Sequence, residues 1–240
     1  MTDAETQPLQ VLSVDIGGSG IKAMVLNETG KPITERNRIK TPHPPTPDAV
    51  LDVIAQLATE QGAFEQVSVG FPGVVQHGVT KTAVNLTAEW LGFDLATALS
   101  KRLGKPVRVA NDADIQGYGA ISGKGVELVL TLGTGFGSAL FVNGHLVPNL
   151  EMAHHPFQKQ KTYEQQLGRK ALKKKGNKTW NRNLAKAIAN LERLFSYDQL
   201  YIGGGEAKRI NIDLPPNVTM VSNEAGILGG IALWGDSGAD

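Results

Sequence analysis

The chain has no cysteine. Disulfides and thiolate metal sites are therefore excluded, and the absence fits a reducing cytosol. It has no excess of either charge: 24 Lys and Arg face 23 Asp and Glu, a formal net charge of +1. No apolar run approaches the roughly 18 residues that a membrane-spanning helix needs. Residues 1–8 are polar and acidic, without the apolar stretch of a secretory signal. What remains is a soluble protein, expected in the cytoplasm. Its 240 residues are 41% hydrophobic and 20% charged, an ordinary globular balance. At about 100–200 residues per domain this length allows one large domain or two smaller lobes.

One residue type is in surplus. Glycine numbers 28, against a usual share of about 7%. The surplus is clustered at Gly17-Gly18, Gly133 to Gly137 and Gly203-Gly204-Gly205. Clustered glycine marks places where backbone must come close to something else.

Hydrophobic patterning predicts a buried strand over 9–15, a second over 21–25 and, after the turn at Asn27–Gly30, a third around 33–39. Thr46-Pro47-Asp48 reads as the start of a helix running to about Gln61. A strand at 67–71, a helix at 95–103 closed by Gly104 and a strand at 107–110 follow. Asn111-Asp112 opens another helix. Strands at 126–132 and 138–142 flank the second glycine cluster. Helices are predicted at about 162–173, 179–195 and 224–234, with strands at 199–202 and near 218–221. Strands come in two batches, each opening on a glycine-turn hairpin and closing in helices. That pattern suggests an internal duplication with a cleft between two halves.

Three glycine loops sit at strand ends. The first is Asp15-Ile16-Gly17-Gly18-Ser19-Gly20, followed by Lys22. A carboxylate beside free backbone amides can hold hydrated Mg²⁺ while the amides cradle phosphate oxygens. The competing reading is a plain hairpin turn that needs positive φ. The second, Leu132-Gly133-Thr134-Gly135-Phe136-Gly137, has the same strand–turn–strand setting and adds a hydroxyl at Thr134. The third, Tyr201-Ile202-Gly203-Gly204-Gly205-Glu206, is a strand entering a helix N-terminus, suited either to an anion or to close packing. None is a Walker loop, because no Gly-Lys-Ser/Thr follows at the required spacing.

Asp-Ile-Gly-Gly-Ser-Gly-Ile-Lys (15–22), Gly-Phe-Pro-Gly (70–73), Ala-Asn-Asp-Ala (110–113), Leu-Gly-Thr-Gly-Phe-Gly (132–137) and Ile-Gly-Gly-Gly (202–205) occur in this order. In that order they resemble the ROK family of sugar kinases, within the actin/hexokinase-like superfamily, from about residue 10 to 235. Ser19, where most of that family has threonine, is similar to the polyphosphate glucokinase branch. So are the run Trp180-Asn181-Arg182-Asn183-Leu184 and the lack of a cysteine-rich zinc motif. The resemblance implies an α/β fold of two actin/ribonuclease-H-like lobes, mixed five-stranded sheets flanked by helices around a central cleft. The small lobe would be 1–112 plus a last helix at about 224–235; the larger lobe would be 113–223, and 236–240 a frayed tail. It also implies a homodimer.

The resemblance further implies residue roles. Asp112 would be the general base for the sugar 6-hydroxyl, although on its own Asn111-Asp112 reads as helix capping. A helix N-terminus keeps Asp112 ionised, which suits a loose phosphoryl-transfer transition state that asks mainly for positioning and charge neutralisation. Gly73, Asn85, Asn111, Glu151, His154 and Glu164 would contact glucose. In Glu151-Met152-Ala153-His154 alanine replaces the family's glycine, and His155 is additional. Asp15 would position Mg²⁺, directly or through water, with no zinc site. Gly17, Gly18, Ser19, Lys22, Gly133, Thr134, Gly135, Gly203, Gly204 and Gly205 would bind phosphates.

Charge distribution adds one further signal. Between Gln165 and Leu191 there is no acidic residue but eight bases: Arg169, Lys170, Lys173, Lys174, Lys175, Lys178, Arg182 and Lys186. The rest of the chain therefore carries net −7. Solvated helix faces normally mix signs. A one-signed strip suits an extended polyanion, whose binding releases counterions as nucleic-acid binding does. Arg169, Lys173, Lys174, Lys175, Lys178 and Arg182 are thus candidate polyphosphate contacts. The reading is a kinase that phosphorylates glucose at O6 from inorganic polyphosphate, with ATP as a second candidate donor. Two alternatives stand beside it. One is an ATP-dependent hexokinase of the same family, acting on glucose, mannose or an N-acetylhexosamine. The other is a non-catalytic sugar-responsive regulator, disfavoured because ten polar residues before the first strand cannot build a helix-turn-helix. Neither a specific nucleic acid nor a membrane is expected as partner.

Overall fold

The computed structural model of the chain describes residues 9–83, 86–222 and 229–235. Two compact units emerge, one from residues 9–115 with 229–235, the other from residues 116–222. Each is built on a five-stranded mixed sheet flanked by helices.

In the first unit the strands are β1 (Val11–Gly17), β2 (Gly20–Leu26), β3 (Asn37–Ile39), β4 (Gln66–Phe71) and β5 (Val107–Asn111). They lie in the order β3-β2-β1-β4-β5. The β1–β2 and β2–β3 pairs are antiparallel, while β4 runs parallel to β1 and β5 parallel to β4. Helices α1 (Pro47–Gln61) and α2 (Leu95–Leu103) connect them. Thr46 caps α1, Pro47 opens it, and Val50, Leu51, Ile54 and Leu57 recur at helical spacing to pack on Leu12, Val14, Ile16, Val67 and Val69. Asp94 caps α2 through its side chain, and Gly104 closes it in the left-handed region. β3 is shorter than the predicted 33–39. Next to it the Val25 N–H is taken by the Thr34 hydroxyl at 2.8 Å rather than by a backbone carbonyl, which interrupts the ladder.

The opposite sheet face is covered by the chain's last described segment. Gly229–Trp234 is a 3₁₀ turn rather than the predicted α-helix; residues 224–228 of that prediction lie outside the described residues. Gly230 fits where an alanine β-carbon would come 2.8 Å from Ser13 Cβ, and the Ser68 hydroxyl donates to its carbonyl. Trp234 Nε1 donates to Ser68 Oγ at 3.0 Å, and the Arg108 guanidinium lies 5.0 Å from the Trp234 ring centre.

Helix α3 (Asp112–Tyr118) carries the chain onward. The second unit holds β6 (Val126–Leu132), β7 (Phe136–Val142), β8 (His145–Val147), β9 (Gln199–Gly203) and β10 (Val218–Met220), in the order β8-β7-β6-β9-β10. Here too the first three strands are antiparallel and the last two parallel. The two sheets thus share one connectivity. Helices α4 (Tyr163–Leu167), α5 (Arg169–Lys175) and α6 (Asn177–Phe195) complete the unit. Trp180, Leu184, Ala187, Ile188 and Leu191 of α6 are buried against β6 and β9 residues such as Leu128, Leu130, Leu200 and Ile202. The single helix predicted over 162–173 is two helices. Gly168 between them is extended, at φ −67° and ψ 166°, which lets the Arg169 amide reach the Gly133 carbonyl at 3.0 Å.

Among the described residues, no helix is long and apolar enough to cross a membrane.

Candidate active site

Register places the first set of candidates on one row of the first sheet. Asp15 of β1 is paired with Lys22 of β2 on one side and Gly70 of β4 on the other; Gly70 in turn is paired with Ala110 of β5. An alanine β-carbon at Gly70 would stand 3.5 Å from the Asp112 Cα, so the start of α3 lies over the strand next to Asp15. Asp15 and Asp112 therefore share one sheet face, at the ends where parallel β1, β4 and β5 run out. Open α/β sheets bind ligands at such strand ends. The Asp15 carboxylate accepts from Lys22 Nζ at 2.8 Å, and both side chains are about one-third exposed. Asp112 is exposed, whereas Asn111 before it is buried. Asn111 Nδ2 donates to the Gly73 carbonyl at 3.0 Å, and its Oδ1 caps α3 by accepting from Ala113 N at 2.8 Å. Gly73 is glycine for an internal reason, because a β-carbon there would sit 2.8 Å from the Thr82 carbonyl. Asn85 lies outside the described residues.

The hairpin from β1 to β2 closes on the pair Gly17–Gly20, leaving Gly18-Ser19 as the turn. None of these glycines has positive φ, so the conformational explanation for them fails. Gly17 is packed, with the Gly20 carbonyl 2.9 Å from its absent β-carbon. A β-carbon at Gly18 would meet nothing within 4 Å. At that position neither the backbone nor the fold asks for glycine.

The second unit repeats this situation. In the loop between β6 and β7, Gly133 has no positive φ and an added β-carbon would likewise meet nothing within 4 Å, whereas one at Gly135 would fall 2.5 Å from Glu164 Oε2. Thr134 is exposed. Glu164 stands in the first turn of α4, where Thr162 and Gln165 form a reciprocal capping box. Glu151 and His154 flank a short 3₁₀ turn, with His154 Nε2 3.9 Å from Glu151 Oε2. Burial raises the Glu151 carboxyl above the usual glutamate value; His154 opposes the rise and the charge of Glu164 adds to it. Glu151, His154 and Glu164 are thus gathered in one place, beside the second glycine loop.

The third glycine loop differs from its prediction. β9 leads into a three-residue 3₁₀ turn, Ala207–Arg209, not an α-helix. Gly204 takes φ 91°, and a β-carbon there would fall 2.5 Å from the Leu132 amide nitrogen, while one at Gly203 would come 3.2 Å from Val221 Cγ2. Close packing accounts for both. A β-carbon at Gly205 would stand 3.9 Å from Arg169 Nη2.

The basic run divides by environment. Arg169 is a tether: Nε donates to Glu206 Oε1 at 2.6 Å and Nη1 reaches Thr134 Oγ1 at 3.4 Å. Lys175 turns inward and donates to Gln166 Oε1. Burial first, then the charges of Lys161, Lys159 and Lys174, push its ammonium below the usual lysine value. Lys170, Lys173 and Lys174 are exposed on α5; Lys178, Arg182 and Lys186 are exposed on α6 at four-residue steps, hence in one row.

Three residues near these sites escaped the sequence reading. Lys159, in the turn, and Lys161, opening the second strand, belong to a small ribbon (Pro156–Gln158 with Lys161–Thr162), where Gln166 Nε2 holds the Gln158 carbonyl at 3.1 Å. Arg38 is paired with Lys22 in register and lies over Gly20. No motif flags it. Its signal is the β2–β3 register, which the sequence alone does not fix.

Similarity to known proteins follows the same residues. The sequence pattern described as "ROK family" matches residues 11–151. The chain is 33% identical over 246 aligned residues to the polyphosphate glucokinase of Mycobacterium tuberculosis (strain CDC 1551 / Oshkosh), covering 95% of this chain and 92% of that protein. Among solved structures, the inorganic polyphosphate/ATP-glucomannokinase of Arthrobacter sp. strain KM superposes with a TM-score of 0.84 at 36% identity, covering 94% of this chain and 99% of that one. A ROK family glucokinase from Streptomyces griseus, in complex with glucose and AMPPNP, shares the fold with a TM-score of 0.77 at 21% identity, over 93% and 98% of the two chains. With this pattern match, this extent of identity and these motifs in order, the chain belongs to the ROK family.

Proposed function

We propose that this chain transfers the terminal phosphoryl group of inorganic polyphosphate, with ATP as a second donor, to O6 of glucose. The observation that carries the reading is the pair Gly18 and Gly133. Both are turn glycines without positive φ, and a β-carbon added at either would meet nothing within 4 Å. A ligand that must approach backbone amides closely explains them, and phosphate oxygens are such a ligand. The donor is suggested by the activities of the Mycobacterium and Arthrobacter relatives and by the exposed one-signed row on α6.

Asp112 is the proposed base. Its carboxylate takes the proton of the glucose 6-hydroxyl as O6 attacks phosphorus; the P–O bond to the rest of the donor breaks, leaving a chain shorter by one phosphate. Its exposure and its place over Gly70 allow it to meet a substrate. Asn111 fixes the start of α3, and with it the position of Asp112. Glu151, His154 and Glu164 are proposed to orient the sugar through its ring hydroxyls, positioning being the main demand of this reaction. Mg²⁺ fits Asp15, a carboxylate about one-third exposed that offers hard oxygen donors beside an open glycine turn. A partly exposed carboxylate of this kind matches an ion that keeps several waters and takes one or two carboxylates plus phosphate oxygens. When bound, such an ion neutralises charge on the phosphates.

The test is glucose 6-phosphate formation, read through a coupled dehydrogenase, with long-chain polyphosphate and with ATP in parallel. A faster rate with polyphosphate, lost in Asp112→Asn, is expected. A faster rate with ATP would reduce the basic row to a solvated surface, and no rate with either donor would overturn the reading.

A further inference from the structure

Arg38 stands in a row of charged residues across three strands: Asp15 of β1, Lys22 of β2 and Arg38 of β3, each directly opposite the next. Directly opposed residues point to the same sheet face. Asp15 and Lys22 neutralise one another at 2.8 Å, but Arg38 is exposed and forms no ion pair among the described residues. It is nonetheless held in place. Nη2 donates to the Ser19 carbonyl at 2.8 Å and approaches Ser19 Oγ at 3.5 Å. The guanidinium also lies across Gly20, where an alanine β-carbon would fall 2.6 Å from Nη2 and 2.7 Å from Cζ. Gly20 has no positive φ to justify it, so its missing side chain is accounted for by the seated guanidinium.

The turn of the second unit offers a comparison. There a hydroxyl, Thr134, is likewise approached by an arginine, Arg169 Nη1 at 3.4 Å. That arginine comes from a helix rather than a third strand, and its charge is satisfied by Glu206 at 2.6 Å. An arginine fixed over a glycine turn by a neutral carbonyl, with its charge uncompensated, is arranged for an anion that arrives from outside. Guanidinium recognises phosphate by several parallel N–H donors in a fixed plane.

We propose that Arg38 is a donor-binding residue that contacts phosphate oxygens at the Gly18-Ser19 turn, with Gly20 kept small to seat it. The proposal rests on the reading of that turn as a phosphate cradle. Steady-state kinetics of glucose phosphorylation by the full chain test it, comparing wild type, Arg38→Ala, Arg38→Lys, Gly20→Ala and the double variant Arg38→Ala/Gly20→Ala, with melting temperatures recorded for each. A donor KM raised about tenfold or more in Arg38→Ala, with glucose KM within twofold, is the expected result, since one charge-assisted contact is removed. Arg38→Lys should recover only part of the loss, because an ammonium cannot reproduce the fork. Gly20→Ala keeps every charge but evicts the guanidinium, so it should match Arg38→Ala, and the double variant should be no worse than either.

An unchanged donor KM in Arg38→Ala, or equal rises in donor and glucose KM, would overturn the proposal and leave Arg38 a prop for the turn. Additive losses in the double variant would overturn the pairing of Gly20 with Arg38. A wild-type chain without kinase activity would instead refute the underlying functional reading, which keeps the two failures apart.

Discussion

Replacing Gly18 or Gly133 by alanine sets stability and activity against each other. Both positions have φ values that alanine can adopt and space for its methyl group. Such replacements stabilise a fold by about 0.4–1 kcal/mol through the unfolded chain, worth roughly 1–4 °C in melting temperature at this size. The same methyl group would stand between backbone amides and a phosphate. Losing one hydrogen bond to a charged group costs about 1.5–3 kcal/mol, or roughly 10- to 100-fold in donor KM. Gly17→Ala is the matched contrast: its β-carbon would meet the Gly20 carbonyl at 2.9 Å, so stability should fall. Differential scanning fluorimetry and donor-saturation curves on the three variants give both readouts. A Gly18→Ala protein that is more stable with an unchanged donor KM would refute the cradle. One that is markedly less stable would refute the claim that nothing within the fold needs that glycine.

Asp112→Asn should lower kcat by about 10²–10⁴-fold, the usual share of a general base, with little change in melting temperature, as measured by coupled assay and fluorimetry. Glu151 carries a raised carboxyl through burial, so glucose KM should climb on acidification at a higher pH than an ordinary glutamate would give, and Glu151→Gln should flatten that profile. Polyphosphate KM should rise steeply with ionic strength, since an exposed cationic row releases counterions on binding; a constant value across a salt series would sink the row's assignment. Glu127 is fully buried. Desolvation raises its carboxyl, but hydrogen bonds from Ser122, Tyr201 and Gly123 outweigh that and leave it below the usual value. A depressed folded value means stability present above the ordinary carboxylate range and lost as pH falls through the folded one. Glu127→Gln should therefore lower the melting temperature at neutral pH and reduce its dependence on acid, both read by calorimetry.

Local chemistry made much of this molecule legible. Thr46-Pro47 announces the start of α1 and Gly104 the end of α2 because capping is a short-range property of the chain. The two glycine-turn hairpins announce β1–β2 and β6–β7, and their recurrence reflects one sheet connectivity used twice. Long-range matters were hidden. The break at Gly168 follows from a contact with the Gly133 loop, 35 positions earlier in the chain. Arg38 and Asp15 become neighbours of one hairpin only through strand register, and a slip of one residue would send each to the opposite face. For Gly203 and Gly204 the sequence left ligand binding and close packing both open, and only the fold shows that a β-carbon at the first would crowd Val221 and at the second Leu132.

The basic run shows how far charge counting reaches. Eight bases without an acid mark a cationic surface, but they do not say which of them can touch a ligand. Helix geometry does. Four-residue steps from Lys178 through Arg182 to Lys186 place exposed charges about 6 Å apart along one line, a row that an extended polyanion can follow. Arg169 and Lys175 sit in the same run and look equivalent in sequence, yet Glu206 holds one and Gln166 holds the other. A polyanion would have to break those contacts to use them. The separation therefore ranks the cations: substitutions along the α6 row should weaken long polyphosphate more than ATP, whose short phosphate tail spans fewer steps. Arg169→Ala should act first on the Thr134 turn that its side chain ties down.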